Sequence, residues 1–362
     1  MNINATASKS RQGSNQGSNK ISTADFVGEA IDQVITVEAK NPGLPHNVTR
    51  TFYKAARALV GDRPISMVAA ERIIESVGPG DTVLILTGAG YPPHMPKGED
   101  DGPPGAASLA MALWKGMGAV PVFVCEPCHV DPIVASSMAA GLMVKDFKDA
   151  RDRRLGAALA VSPTRQTEVR AWVDKLFAEM KPKAVVTAER LGPAADGFLY
   201  NLTAQAYMGP DTTVEHEVID ISPIVTTATE KGVLSIGIGD HGNEIGFGRI
   251  VDTVAAAMPN GDRLCTRVGT DILLPAMMSN WGCYGIEAAL AFLLKKPRIV
   301  HSPAQEERII RACQMAGGID AIYASTEFGV DGLDGETSMA CMQFLGNIVR
   351  KSLEDPDTGA AH

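Results

Sequence analysis

Short apolar runs rich in β-branched residues alternate with longer segments of helical period along most of the chain. Residues 82–87, 120–125, 184–187 and 233–238, with 264–268 as a fifth candidate, are apolar on both alternating faces, the pattern of a parallel strand covered on each side. Between them lie predicted helices. Residues 104–117 open on Pro104 and are followed by Gly118, the asymmetry of helix ends. In 166–180 the apolar positions Val169, Trp172, Val173, Leu176, Phe177 and Met180 recur with a period near 3.6. Residues 243–258, 282–294 and 303–316 predict further helices, and 24–60 a helical region packed outside the sheet. This alternation predicts an α/β fold: a doubly wound, mostly parallel sheet with helices on both faces and an N-terminal helical extension. There is no internal repeat and no linker-like composition after residue 40. Residues 24–353 therefore read as one α/β domain, long enough to form two lobes, between a polar tail at 1–23 and a frayed end at 354–362.

Composition narrows the function classes. With 362 residues, 45% of them apolar, the chain buries an ample core without a disulfide or metal staple. The net charge of −9 argues against general nucleic-acid or anionic-membrane binding, while leaving room for a small-molecule substrate whose local site inverts the global sign. No apolar run approaches the roughly 20 residues of a membrane span, and no secretory apolar region opens the chain. The first 24 residues are polar, carry Lys9, Arg11 and Lys20, and hold no acid before Asp25. That composition reads as a disordered tail and a cytoplasmic protein; a transit peptide, hence the mitochondrial matrix, is the alternative. The six cysteines include a lone CxxC, Cys125 and Cys128, interrupted by Glu126-Pro127 and without a second pair. They read as reduced thiols. Met277-Met278 fit core packing, or an interface between copies of a homo-oligomer.

In doubly wound sheets the chemistry sits in loops beyond the carboxyl ends of the strands, and there the sequence is most unusual. A long Gly/Pro loop, 88–105, carries Glu99-Asp100-Asp101 just before a helix. Capping and dipole effects account for one or two of these acids; three beside Gly102 and Gly105, which allow close backbone approach, point to a cation or an amine. Lys97 supplies positive charge for a carboxylate, or is a solvated loop residue. Glu189 and Arg190 follow the next buried strand. The planar fork of Arg190 suits a substrate carboxylate, and Glu189 suits a metal ligand or a base; strand-end pairing to neighbouring loops is the plainer reading. In 235–248, Gly237, Gly239 and Gly242 satisfy GxGxxG. Asp240 sits inside that loop, where a pyrophosphate needs bare N–H groups, so a nucleotide-binding oxidoreductase is the weaker reading. Asp240, His241, Asn243 and Glu244 instead form an oxygen-rich set suited to Mg²⁺ or Mn²⁺. Asn280, in Ser279-Asn280-Trp281-Gly282, is either a helix cap or a pocket hydrogen-bonding group. Asp334 reads as the cap of the last helix.

Taken together, 97–106, Ala188-Glu189-Arg190-Leu191-Gly192 with Asp196-Gly197, 237–248, Ser279-Asn280-Trp281-Gly282 and Asp331-Gly332, in this order, resemble the D-glutamate cyclase family. The likeness covers roughly residues 45–350, with His241 where the family pattern has Gly, Asp100 where Thr is usual, and a divergent segment at 201–204. The resemblance implies cyclisation of D-glutamate to 5-oxo-D-proline with loss of water and without ATP, assisted by Mn²⁺ or Mg²⁺. It implies Asp240 and Glu244 near the metal, Glu189 as base and Arg190 on the α-carboxylate. Asp101 then binds the amine or supports the metal, and Lys97, Gly102, Asn243 and Asn280 contribute to substrate binding. A non-catalytic amino-acid-binding protein is the remaining alternative.

Overall fold

The computed structural model describes residues 22–354 except 41, 42, 44, 209 and 210. The tails expected at 1–23 and 354–362 lie outside these, apart from their inner residues. Ser22 already caps the first helix, its Oγ accepting the Asp25 N–H at 3.0 Å.

The extension comprises α1 (Thr23–Ile35), α2 (Val48–Ala58) and α3 (Ile65–Ser76). Asp32 of α1 ties the three together. It accepts the Ile65 N–H at 2.6 Å, filling an orphan donor of α3, and the Tyr53 hydroxyl of α2 at 2.5 Å. Burial raises its pKa to about 6.

The alternating region runs β1 (Thr82–Thr87), α4 (Pro103–Met117), β2 (Val120–Cys125), α5 (Val130–Ala140), β3 (Val144–Lys145), α6 (Phe147–Arg153), β4 (Ala157–Val161), α7 (Gln166–Met180), β5 (Ala184–Ala188), α8 (Pro223–Glu230) and β6 (Leu234–Gly239). It continues through α9 (Val251–Ala257), α10 (Gly261–Leu264), β7 (Ile272–Pro275), α11 (Ser279–Leu293), α12 (Pro303–Met315), a small hairpin of β8 (Gly329–Val330) and β9 (Leu333–Asp334), and α13 (Gly335–Leu353). Asp334 caps α13 by accepting the Thr337 N–H at 2.8 Å.

Strands β1 to β7 form one sheet in the order β3-β4-β2-β1-β5-β6-β7, every neighbouring pair parallel. The period of two divides each strand between two cores. Val83 and Ile85 face the core shared with α1, α3, α4, α11 and α13, while Leu84 and Leu86 face Val169, Val173, Ile224 and Val225 of α7 and α8. The fold is thus doubly wound, as the alternation predicts. From β1 the chain builds outward through β2, then returns to lay β5, β6 and β7 on the opposite side. The strand order reverses between β1 and β5, and their carboxyl ends open the crevice where ligands of such sheets bind.

Two predicted elements differ. Residues 264–268 are not a strand: the Val268 carbonyl accepts the N–H groups of Gly246 and Gly248, and the edge strand β7 begins four residues later. Of the helix predicted over 243–258 only α9 forms. Gly246 takes φ +116°, and the chain before it folds back over β6, so close that a Cβ on Gly237 would lie 2.4 Å from the Ile245 carbonyl. β3 is too short, and β4 too rich in alanine, to stand out as strands.

Candidate active site

Two helices meet at the crevice and cap each other. Asp101, in the loop after β1, accepts the N–H groups of Ser279 and Asn280, each at 2.8 Å, the first two residues of α11. Asn280 returns the bond: its Oδ1 accepts Gly102 N–H at 3.0 Å and Gly105 N–H at 2.7 Å at the start of α4, and its Nδ2 donates to the Asp100 carbonyl. The exchange satisfies orphan donors at both N-termini and sets a carboxylate on the positive end of α11. Gly102 has φ +101°, and a Cβ there would lie 2.6 Å from Thr87 Oγ1. No side chain fits.

Glu189, one residue past β5, has φ +47°, a left-handed backbone that non-glycine residues seldom adopt. Ser279 secures it from both sides, receiving the Glu189 N–H at 3.1 Å and donating its hydroxyl to Glu189 Oε2 at 2.7 Å. The unusual backbone turns the carboxylate back over the crevice.

Beyond β6 the loop 240–242 points three backbone N–H groups at one spot. Glu244 fills it: Oε1 accepts from Asp240 and His241 at 3.1 and 2.9 Å, and Oε2 from Gly242 at 2.7 Å. A dinucleotide pyrophosphate would need those donors. Here the protein's own carboxylate holds them, so the glycines of the GxGxxG run serve close packing of this loop. Asp240 projects from the loop toward Asp331, and Lys40, from the segment after α1, lies between them. Its Nζ is 2.7 Å from Asp240 Oδ2 and also contacts Asp331 Oδ2, with the lysine side chain 4% exposed.

A cavity of about 380 Å³ occupies the crevice, large enough for a small metabolite. Five carboxylates line it, Glu99, Asp101, Glu189, Asp240 and Asp331, together with His241, Asn243, Tyr207 and the 201–203 segment. Among the described residues lining it, none is Lys or Arg. Crowded acids out of water resist ionisation. Burial, then mutual repulsion, raises Glu99 and Glu189 well above the usual carboxylate range and Asp101 to about 7. The same causes take Glu244, behind the loop, to about 8. Asp240 is the exception: despite burial, His241 and Lys40 hold it low. Asp240 Oδ1 faces His241 Nδ1 at 2.7 Å, whereas Asn243 Oδ1 is buried with no hydrogen bond among the described residues.

The sequence-derived candidates divide. Asp101, Glu189, Asp240 and Asn243 reach the cavity. Arg190 does not. It is fully buried, grips both oxygens of Glu126, and donates to the carbonyls of Gly88 and Ile219 at 3.1 and 2.7 Å. The carboxylate its fork matches belongs to the protein, which corrects the expectation of a substrate clamp. Lys97 is half-exposed and pairs with Asp131 at 2.6 Å, away from the cavity. Gly102 and Asn280 are committed to the helix caps, and Glu244 to the loop N–H groups, so none of the three is open to a ligand. Sequence reasoning passed over Lys40 and Tyr207. It saw Glu126 only as an interruption of the CxxC.

Fold and site together define a doubly wound α/β protein with an acidic pocket at its topological switch point. The chain belongs to the D-glutamate cyclase-like family, whose C-terminal-domain model matches residues 31–345. A curated relative, the human "D-glutamate cyclase, mitochondrial", is 30% identical over 225 residues, 59% of this chain and 33% of the human protein. The match spans only about a third of that relative's length. Among the described residues, no helix is long and apolar enough to cross a membrane.

Proposed function

We propose that the chain is a hydro-lyase that cyclises D-glutamate to 5-oxo-D-proline, assisted by a divalent cation. One observation carries the reading: five carboxylates with no Lys or Arg among the described lining residues face one cavity of metabolite size. Such a pocket suits an ammonium group and a metal ion, and the family supports cyclase chemistry. The donor set fits a hard cation. Nearest oxygens of Asp101, Glu189 and Asp240 lie within 4.8 Å of one another, compatible with the roughly 4.2 Å that separates opposite ligands around an octahedral Mg²⁺. These three residues would hold Mn²⁺ or Mg²⁺. When bound, the ion supplies polarisation of the substrate γ-carboxylate and stabilises developing negative charge on its oxygen.

The chain's own groups do the rest. The reaction forms a bond from the α-nitrogen to the γ-carboxyl carbon and breaks one C–O bond; both protons lost by the ammonium end on the departing oxygen as water. A carboxyl with a raised pKa suits that transfer near neutral pH. Glu189 and Glu99 both qualify. Glu189 Oε2 is held by Ser279, whereas Glu99 lines the cavity with no hydrogen bond to its carboxylate from the described residues. The proposal therefore gives the proton transfer to Glu99 and a cation-holding role to Glu189. Asn243 lines the cavity, and its Oδ1, which has no hydrogen bond among the described residues, is the acceptor given to the amine.

The test is incubation of chelator-stripped protein with D- or L-glutamate, with and without Mn²⁺, and chiral analysis of 5-oxoproline. Formation of the D product only with Mn²⁺ supports the reading. Activity undiminished after exhaustive chelation removes the metal. Thermal stabilisation by D-glutamate without product would make the chain a binding protein.

A further inference from the structure

Two ligand sets share Asp240: Asp101–Glu189–Asp240, and Asp240–His241–Asp331. In each, one atom per residue lies within 4.8 Å of the others. The first set faces open cavity. The second is spanned by Lys40, whose ammonium lies 2.7 Å from Asp240 Oδ2 and contacts Asp331 Oδ2. Lys40 stands 200 residues from Asp240 in sequence and belongs to the segment between α1 and α2. Its side chain is 4% exposed, and the two carboxylates are 2% and 7% exposed, so these charges have exchanged water for one another. Lys40 also lines a second hollow. This cavity of about 280 Å³, lined as well by His46, Thr49 and Met277, shares Asp240 and His241 with the crevice. The other Asp240 oxygen, Oδ1, lies 2.7 Å from His241 Nδ1, and the residue is 3% exposed.

We propose that Lys40 is a built-in cation of this site. It occupies the position that Asp240, His241 and Asp331 would otherwise offer to a second divalent ion, and it holds in place the Asp240 carboxylate that the first ion would share. Lys40 is thus a positioning residue, and it makes a potential two-metal centre a one-metal centre. The inference rests on the metal-assisted reading above.

The experiment counts Mn²⁺ bound to the full chain, stripped of metal, by loss of the free-ion electron paramagnetic resonance signal during titration. Wild type is expected to take one ion. Lys40→Met takes two, with the broadened signal of a spin-coupled pair, and Lys40→Met with Asp331→Asn returns to one. A folded Lys40→Met chain that takes a single ion overturns the role of Lys40 and leaves the metal reading standing, as does a wild type that takes two. A wild type that takes none overturns both. Asp331→Asn alone covers the case in which Lys40→Met does not fold: its single Mn²⁺ should bind within threefold of wild type. A loss of tenfold or more would make Asp331 a ligand of that ion and overturn the proposal.

Discussion

Glu189 and Glu99 face the same cavity from different supports, and substitution separates their roles. Glu99→Gln is expected to lower turnover by about 10² to 10⁴, the usual worth of a general acid–base, with Mn²⁺ binding unchanged. Glu189→Gln should weaken Mn²⁺ binding itself; a titration in which the two variants exchange these phenotypes would reverse the assignment. Arg190 belongs to a different problem. Removing it leaves Glu126 in the core with His129 and the Ile219 N–H as its remaining partners, so Arg190→Ala should destabilise toward urea by up to about 3–5 kcal/mol, the cost of a buried charge that loses its partner. A stable variant with only a raised KM would restore the substrate clamp. Legibility at this scale followed chain distance. Asp101, Glu189, Asp240 and Asn243 stood out because each ends a strand in a Gly-rich loop. Lys40 has no local signal: it meets Asp240 only because α1 docks beside β7, where the Ile35 carbonyl accepts the Met277 N–H at 2.8 Å. Arg190 and Glu126 look alike as strand-end charges, and only the fold pairs them.

The reciprocal caps of α4 and α11 bind the first wall of the site to the last. Asn280→Ala removes three hydrogen bonds; the Gly102 N–H keeps Asp101 Oδ1 at 3.0 Å, while the Gly105 N–H loses its side-chain acceptor. At about 1–3 kcal/mol for a buried group left unsatisfied, chemical denaturation should show a loss of that size. An exposed or ligand-facing Asn280 would lose far less. Strong periodicity made the helices legible: α7 matches its predicted bounds, and α4, α11 and α12 begin or end within three residues of theirs. The sequence between 243 and 268 failed for a physical reason. Its apolar residues pack a loop against β6, and neither a period of two nor one of 3.6 describes a chain folded back on itself through glycines.

For the whole molecule, the raised carboxyls set the pH dependence. In the unfolded chain these groups titrate near 4; in the fold Asp32 rises to about 6, Asp101 to about 7 and Glu244 to about 8. The folded state therefore holds more protons than the unfolded one between about pH 4 and 8, and its stability falls as pH rises through that window. His129 and His301 act in the same direction above about pH 6.5: against the pull of burial, Cys128 and Glu126 for the first, Glu287 and Glu306 for the second, raise them to about 10. His241, lowered by burial, opposes them only below its unfolded value. The metal-free protein should thus melt lower at pH 8 than at pH 5.5 by calorimetry, and Mn²⁺ at 100 times its Kd should restore about 2.7 kcal/mol; a flat or rising profile would show that the acids are not crowded as described. The net charge of −9 argued against polyanion partners but gave no hint that much of it converges on one crevice. That convergence depends on strand order, which alternation alone does not specify. The most direct test of the central claim is the yield of 5-oxo-D-proline from D-glutamate and Mn²⁺ for wild type beside Glu99→Gln. Wild type should form it, and Glu99→Gln at least about a hundredfold more slowly; no product from wild type, or equal rates from both, would contradict the account.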